Sequence, residues 1–600
     1  MATGLGEIKA GRGALTPGCH IARPTMAFMR QTDFSDLLRQ SDVFGHLGDE
    51  ALADLADGLV WFSLPGGRPL FKAGEAADAM YLLVSGSLGL FDEDEPARLV
   101  HLVSAGDSVG EIGLVSGDAR QLTVRALRDC ELLRLDRTAF EALAGRHPQA
   151  MLGIARVAVA RLQRRLRKEE SPGVARTFAL LPPDAEVPAR TLAMQLAMAL
   201  EAYGSCIVID GEQGAGRGSD WFAAREAQAR FVIYLDTQGD PLWRQRCLRQ
   251  ADVLLLPAQA ARPARPWPEA AILDPSRLGH RPRHLILLQA GRQPSLGAAQ
   301  RWRAPFGGEL QHHHVGGQVD IARLARLVSG NARGLVLAGG GARGLAHLGA
   351  LRALKEAGQE FDCVGGTSIG AIIGAGVAAG WGLEEMTEVY RRAFVQGRPL
   401  SDWTLPVVAL TRGRRAASML RRAFGALDIE DLKLPFFCVA TCLSGDGMVV
   451  QRAGPLWMWL RASSAIPGVL PPVLHRGRVY VDGALVDNLP TDVMSTDGIA
   501  HITAIDIRAD ISLLTTAEEY STPPWWRLML QRQAIQRPGL VSTLVRAAMV
   551  NSEGASEHRR GLADVLVTPP LEHVSVLDWG DWERAVEAGY RETMRVLENP

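Results

Sequence analysis

The sequence predicts a multidomain chain: an N-terminal β-barrel or jelly roll of sensor-like type, a middle α/β parallel-sheet segment, and a C-terminal α/β domain. Three observations carry this. Short apolar runs with glycine-bearing turns crowd the stretch from Trp61 to Val103. Strand-like and helix-like runs alternate beyond residue 175. Two glycine-rich strand-to-helix turns then follow, Gly339–Gly344 and Gly366–Gly370. Many short strands point to closed antiparallel sheets, whereas β/α alternation points to a parallel sheet. The predicted divisions are 1–32, an unstructured N-terminus; 33–170, the barrel; 175–330, the middle unit; and 331–600, the catalytic candidate.

Six hundred residues suit three or four domains of about 150 residues. The 65 basic and 66 acidic residues leave a net charge of −1, which excludes a nucleic-acid footprint at chain level. Seven cysteines, at positions 19, 130, 206, 247, 363, 438 and 442, are scattered and odd in number. Cys438 and Cys442 fall in a strand-like run, so they read as buried thiols in a reducing compartment. No run approaches the ~18 apolar residues of a membrane span. Residues 1–32 lack the apolar core of a signal peptide. The expected location is cytoplasmic, with peripheral contact at a membrane left open.

Phe34 to Leu59 reads as mostly helical, anchored by Leu37, Leu38, Leu47, Leu52 and Leu55. Strands are expected at Trp61–Leu64, Pro69–Phe71, Ala79–Val84, Ser87–Phe91 and Leu99–Val103. Within this barrel, Gly74-Glu75, Tyr81-x-Leu83-x-x-Gly86-x-Leu88 and the run Gly110 to Thr123 resemble the cyclic nucleotide-binding domain family, over roughly Phe34 to Lys168. The resemblance implies a ligand cassette of Gly110, Glu111, Arg120 and Thr123. Glu111 would accept from a ribose hydroxyl and Arg120 would pair with a cyclic phosphate. Val109 and Leu122 depart from the family pattern beside the ligand. Two readings stand: a regulatory cyclic nucleotide site, and a barrel that kept its fold without its ligand, with Arg120 in a salt bridge. Leu152, Ala155, Val159, Leu162 and Leu166 then mark one face of a helix suited to pack on the barrel or a partner.

Ser171-Pro172-Gly173 reads as a linker. Middle-unit strands are expected at Ser205–Ile209, Phe231–Leu235, Asp252–Leu256 and His284–Leu288, with helices at Ala189–Ala202 and Pro241–Gln250. Asp210 to Gly218 is a glycine-rich loop without Gly-Lys-Ser/Thr, which argues against a working phosphate loop. His312, His313 and His314 point in alternate directions on a strand, so no metal site is assigned.

Leu335–Ala338 is a buried-strand run opening into Gly339, Gly340, Gly341, Ala342, Arg343 and Gly344, followed by a helix from Leu345 to Ala357 with Gly358 beyond it. The glycines match a dinucleotide fingerprint, but no acidic residue closes the next strand, and Asp362 lies at its beginning. Backbone donors at such a helix start serve equally well as an oxyanion hole. The next strand ends in Gly366-Thr367-Ser368-Ile369-Gly370, a tight turn that pushes a serine hydroxyl out at the top of a sheet. Downstream, Val479–Val481 leads into Asp482-Gly483-Ala484.

These three elements in this order resemble the patatin-like phospholipase family, over about Ala332 to Leu597. The sequence of barrel, α/β unit and patatin domain is similar to the neuropathy target esterase group, in particular its shorter bacterial members. The resemblance implies a serine esterase with a Ser–Asp dyad hydrolysing acyl esters of lysophospholipids or phospholipids. Ser368 would be the nucleophile and Asp482 the base. Gly339, Gly340, Gly341, Arg343 and Gly344 would form the oxyanion hole, with Gly366 and Gly370 in the nucleophile turn. Arg343 would hold the loop or greet an anionic head group. No catalytic cofactor is implied; the partners are a lipid substrate and its membrane surface. His347 reads as a helix-packing residue, Asp487 as a turn carboxylate, and Ser463 and Ser464 as satisfying backbone near the site. Pro524 to Leu530, with two tryptophans, reads equally as an interfacial segment or as core. The competing function is an inert patatin domain in a cyclic-nucleotide-sensing protein.

Overall fold

A computed structural model describes residues 38–92, 98–148, 175–267, 281–507 and 556–598, apart from a few short interruptions, and isolated positions elsewhere. The expected unstructured N-terminus, most of the helix around Leu152–Leu166, the linker at Ser171 and the segment Pro524–Leu530, of which only Pro524 is described, lie outside the described residues.

Two four-stranded antiparallel sheets form the barrel. One runs in the order Leu59–Leu64, Cys130–Asp136, Ala79–Ser85, Ser108–Val109; the other Pro69–Phe71, Thr123–Ala126, Leu88–Asp92, Arg98–Val103. Tyr81, Leu83, Leu88 and Val124 share the apolar filling between them. The stretch expected to be mostly helical is interrupted among the described residues: Leu38 and Arg39 are helical, a turn follows at Val43–Gly45, and a helix at Asp49–Asp57 precedes the first strand. Gly45 and Gly48 divide the leucine pattern there, and glycine is a poor helix former.

The middle unit is a six-stranded parallel sheet in the order Cys206–Asp210, Phe231–Leu235, Thr177–Leu180, Val253–Gln259, Arg283–Leu288, Gln311–Val315. Its first strand, Thr177–Leu180, is absent from the sequence reading. Four buried residues running into Leu181-Pro182-Pro183 carry too little pattern to detect. The loop expected at Asp210–Gly218 instead begins as one helical turn, Gly211–Gly214, because Asp210 accepts from the Gln213 amide at 3.2 Å and caps it.

The C-terminal unit holds an eight-stranded mixed sheet. Arg333–Leu337, Cys363–Thr367 and Phe436–Cys442 lie side by side in parallel, with His501–Ile505 and Val565–Val567 beyond the first. Arg478–Asp482 joins the other side antiparallel to Phe436–Cys442. The helices Ala346–Glu356 and Ile369–Ala378 follow the first two strands directly. Two glycine turns and the end of the Asp482 strand therefore meet at the carboxyl ends of the central strands.

Buried polar contacts tie the three units together. Arg128 of the barrel reaches Asp252 of the middle sheet at 3.1 Å and also pairs with Glu226. Ser87 donates to the same Asp252 carboxylate at 2.6 Å. Burial alone would push the Asp252 carboxyl up, but Arg128 and its hydrogen-bond donors hold it below its ordinary value. On the other side, His312 and His314 project from one face of their strand and both donate to the Glu430 carbonyl at 2.9 Å. Arg326 forks onto Asp362 at 2.7 and 3.0 Å.

Replacing Arg128 would leave two carboxylates buried without their cation. Arg128→Ala is expected to weaken attachment of the barrel by ~3–5 kcal/mol. Differential scanning calorimetry should show a separate, earlier barrel transition; an unchanged trace would contradict this role.

Candidate active site

The strand Cys363–Thr367 is buried throughout and delivers its last residue to Ser368. Ser368 has φ 55° and ψ −124°, a backbone conformation that side chains rarely occupy and that the surroundings must enforce. The enforcement is visible. A Cβ on Gly366 would come within 2.8 Å of the Leu337 carbonyl, and one on Gly370 would collide with the Leu337 and Ala338 carbonyls. Only glycine on both sides lets the turn lie against the neighbouring strand end. Ser368 then stands at the N-terminus of the helix Ile369–Ala378.

Asp482 ends its own strand opposite this turn. Its Oδ2 accepts the Ser368 hydroxyl at 2.8 Å, and its Oδ1 accepts the Ala484 amide at 2.9 Å. Burial pushes the Asp482 carboxyl up from 3.8 to about 6, against the opposing pull of the Ala484 amide, the Ser368 hydroxyl and the Arg461 charge. Both side chains are buried, at 7 % and 3 % exposure. Ser463 braces the pair: its hydroxyl accepts from the Ser368 amide at 2.9 Å and donates to the Val439 carbonyl at 2.6 Å.

The first glycine turn closes over the same point. A Cβ on Gly339 would approach the Ser368 Cβ to 3.0 Å. The Gly339 amide donates to the Asn488 carbonyl at 3.3 Å, and Asn488 Nδ2 donates back to the Gly339 carbonyl at 3.1 Å. Ala342 donates to Val576 at 2.8 Å. Gly340, Gly341 and Gly344 complete the turn, with Gly344 packed against Ile369. Arg343 is buried and its Nε donates to the Val574 carbonyl at 2.7 Å, so its side chain holds the loop. His347 donates through Nε2 to the Ala338 carbonyl at 2.8 Å, and burial lowers it to about 4. It is a neutral strut beneath the glycine turn. Asp487 accepts from the Leu489 amide at 3.1 Å and lies 3.3 Å from Arg559.

Asn488 and Arg461 carry roles that the sequence reading did not assign. Asn488 stands six positions after Asp482, a spacing without meaning until the two glycine turns are placed. Arg461 is buried, donates to the Pro471 carbonyl at 2.9 Å, and acts on Asp482 through its charge.

The second candidate cluster surrounds a cavity of about 280 Å³ in the barrel, lined among others by Phe71, His101, Gly110, Glu111, Arg120 and Leu122. Arg120 spends both terminal nitrogens on the barrel itself. Nη1 donates to Gly110 at 3.0 Å and Nη2 to Ala79 at 2.5 Å. Its guanidinium stacks over Phe71 at 4.1 Å, and Asp78 lies 3.6 Å away. Glu111 is buried beside the Ser108 hydroxyl, which donates to it at 3.4 Å. Thr123 does not line the cavity; its hydroxyl accepts from the Ala73 amide at 3.0 Å. Among the described residues no group of histidine, cysteine and carboxylate side chains could hold a metal.

Comparison with known proteins follows the same three units. A cyclic nucleotide-binding domain model matches residues 61–147, a neuropathy target esterase family P-loop like domain model residues 175–331, and a patatin-like phospholipase model residues 335–495. An uncharacterized NTE family protein of Mycobacterium bovis is 30% identical, covering 93% of this chain and 96% of its own length. Lysophospholipase NTE1 of Mycosarcoma maydis is 28% identical over 90% of this chain, and patatin-like phospholipase domain-containing protein 7 of Mus musculus is likewise 28% identical over 90%. The chain spans only 34% of the fungal protein and 45% of the mouse protein.

The commitment of Arg120 to two carbonyls gives a prediction. Arg120→Ala is expected to destabilise the barrel by ~1–3 kcal/mol, the cost of leaving buried acceptors unmet. Chemical denaturation followed through the barrel's own transition measures it, and an unperturbed midpoint would show that Arg120 is held in reserve for a ligand.

Proposed function

The chain belongs to the neuropathy target esterase family, and from that premise we propose that it is a carboxylic ester hydrolase acting on acyl esters of lysophospholipids or phospholipids through a Ser368–Asp482 dyad. The observation that carries this reading is the 2.8 Å bond from the Ser368 hydroxyl to Asp482, made by a serine in a strained turn at a helix start.

In this mechanism Asp482 Oδ2 takes the proton of Ser368 while Oγ attacks the acyl carbonyl carbon. The oxyanion forms against the glycine turn. Gly339 and Ala342 have spent their amides on Asn488 and Val576, so Gly340 and Gly341 are the donors offered to it. One such donor is typically worth ~2.7–4 kcal/mol in the transition state. The tetrahedral centre collapses, and the proton on Asp482 passes to the departing alcohol oxygen. Water then attacks the acyl-serine, with Asp482 again as the base, and the fatty acid leaves.

No histidine takes part. A carboxylate at its ordinary value is a weak base; burial corrects this by raising Asp482 to about 6, close to working pH. The lipid is met at a membrane surface by peripheral contact, in a cytoplasmic setting. No helix among the described residues is long and apolar enough to cross a membrane. The barrel is read as a regulatory or scaffolding module, with a cyclic nucleotide as the ligand its cavity would take and Arg120 also bonded to two backbone carbonyls.

Three outcomes test this. Ser368→Ala should abolish labelling by a fluorophosphonate probe and fatty-acid release from lysophosphatidylcholine; equal labelling of both proteins would refute the reading. Asp482→Asn should lower kcat by ~10²–10⁴-fold while leaving the fold intact. Because the base works only when ionised, kcat/KM of the native protein should rise as pH increases through about 6 and level off above it; a profile flat from pH ~5 to ~8 would contradict Asp482 as the base.

A further inference from the structure

Four large apolar side chains stand in solvent within six residues. Trp403, Leu405, Val407 and Val408 are 64%, 82%, 89% and 67% exposed. The segment is a built hairpin. Trp403 and Thr411 form an antiparallel bridge, Thr404 donates to Leu410 at 3.0 Å, and Arg412 donates to Asp402 at 2.8 Å. A fixed apolar tip of this kind marks a surface meant to be covered.

The chain leaves the hairpin directly into the helix Arg414–Phe424. Asp402 fixes that junction by accepting from the Arg414 and Arg415 amides at 2.8 and 3.1 Å. The helix buries Ala416, Leu420 and Phe424 and turns Arg414, Arg415, Arg421 and Arg422 to solvent. Arg414, Ala417, Ser418, Arg421 and Arg422 line a shallow depression of about 300 Å³. Small residues floor it, and none of its three arginines is in an ion pair among the described residues; Arg421 is steadied by stacking over Trp457 at 3.9 Å. In a chain of net charge −1, this concentration of one sign is local.

We propose that the Trp403–Thr411 hairpin and the arginine face of the helix Arg414–Phe424 form a docking surface for an anionic lipid bilayer. The apolar tip enters the boundary of the acyl chains, and Arg414, Arg421 and Arg422 hold lipid phosphates around the depression. Tryptophan, aliphatic side chains and arginines side by side are the chemistry of an interfacial segment. A second copy of this chain fits poorly. A two-fold interface places the same patch on both sides, so the arginines would meet either arginines or the apolar tip, and neither supplies a counter-charge. The inference rests on the lipid-ester reading of the dyad and deepens it.

The surface also connects to the site. Leu410 and Thr411 donate to the Gly468 and Val469 carbonyls at 2.8 and 3.1 Å. That loop leaves the helix Leu456–Ser463, whose last residue holds the Ser368 amide, and it carries Ala465, whose carbonyl accepts the Asp482 amide at 3.0 Å. Seating the hairpin in a bilayer therefore brings the dyad's supporting loop to the lipid surface.

The test is cosedimentation of the full chain with extruded vesicles of phosphatidylcholine alone, or with roughly 30% phosphatidylserine. The wild type should favour the anionic vesicles, less so as salt rises. Leu405→Ser combined with Val407→Ser should reduce anionic-vesicle binding ~tenfold or more. Arg414→Gln combined with Arg422→Gln should remove the preference for phosphatidylserine. Both variants should hydrolyse a short-chain, monomeric nitrophenyl ester like the wild type. Binding to neither vesicle, or equal binding by variants and wild type, would overturn the docking surface. So would a dimer by light scattering that the hairpin variant dissolves while its vesicle binding stays intact. Loss of nitrophenyl ester hydrolysis in the wild type would instead count against the dyad, because cosedimentation reads the surface without turnover.

Discussion

The carboxyl end of the strand Arg333–Leu337 is the constraint on which the catalytic unit depends. Its last carbonyls, at Leu337 and Ala338, lie so close to the Ser368 turn that side chains are barred at Gly366 and Gly370. The same Ala338 carbonyl takes the His347 imidazole from below. From above, Gly339 is clasped through its amide and its carbonyl by Asn488. Each contact limits where the next can sit. The positive φ of Ser368 is thus held by a ring of backbone approaches, and strain of about 1–3 kcal/mol persists only where the surroundings over-determine it.

The same logic of fixed placement governs the joints between units, by a different physical route. Arg128, Asp252 and Glu226 are charges removed from water, and a buried ion pair adds little net stability over an apolar replacement. Its value is geometric. Asp252 collects Arg128, Ser87 and two backbone amides into one carboxylate, which specifies how the barrel sits on the middle sheet. At the opposite joint the histidines stay neutral, because burial lowers His312 to about 3 and His284 to about 4. His312 and His314 act there as amide-like donors to Glu430, and their alternation on the strand leaves His313 to meet His284 at 2.8 Å on the other face.

Much of this architecture was legible because it is local. The pentapeptide at Ser368, the glycine run at Gly339 and the strand-terminal Asp482 each announce a turn through residue types that the turn requires. Apolar runs likewise mark many strands within a few residues of their ends, but Cys130–Asp136, Gln311–Val315 and His501–Ile505 are not among those the sequence assigns. The missing pieces lack such a signature. Thr177–Leu180 is too short to show a period. Asp210 reads as a loop residue in the sequence because its capping depends on one side-chain bond to the Gln213 amide. Thr123 belongs to the cassette in sequence but turns its hydroxyl to Ala73, and Arg120 found carbonyl partners that no spacing specifies. Asn488 and Arg461 act on the site only through tertiary contact, as does the exposure of the Trp403 hairpin.

What remains is why a two-residue site suffices in the proposed chemistry. A histidine would sit near neutral pH unaided; an aspartate must be moved there. Raising Asp482 from 3.8 to about 6 corresponds to roughly 3 kcal/mol of added proton affinity. Burial supplies that gain, but burial without limit would protonate the carboxyl and silence it. The Ala484 amide, the Ser368 hydroxyl and the Arg461 charge all pull the other way, leaving the group ionised at neutral pH yet still basic. A turn that brings a serine to one side of this carboxylate and a backbone amide to the other therefore sets two quantities at once, the reach of the proton and the strength of the base. The His347 imidazole is bonded to the Ala338 carbonyl and lowered to about 4, so it competes for neither role.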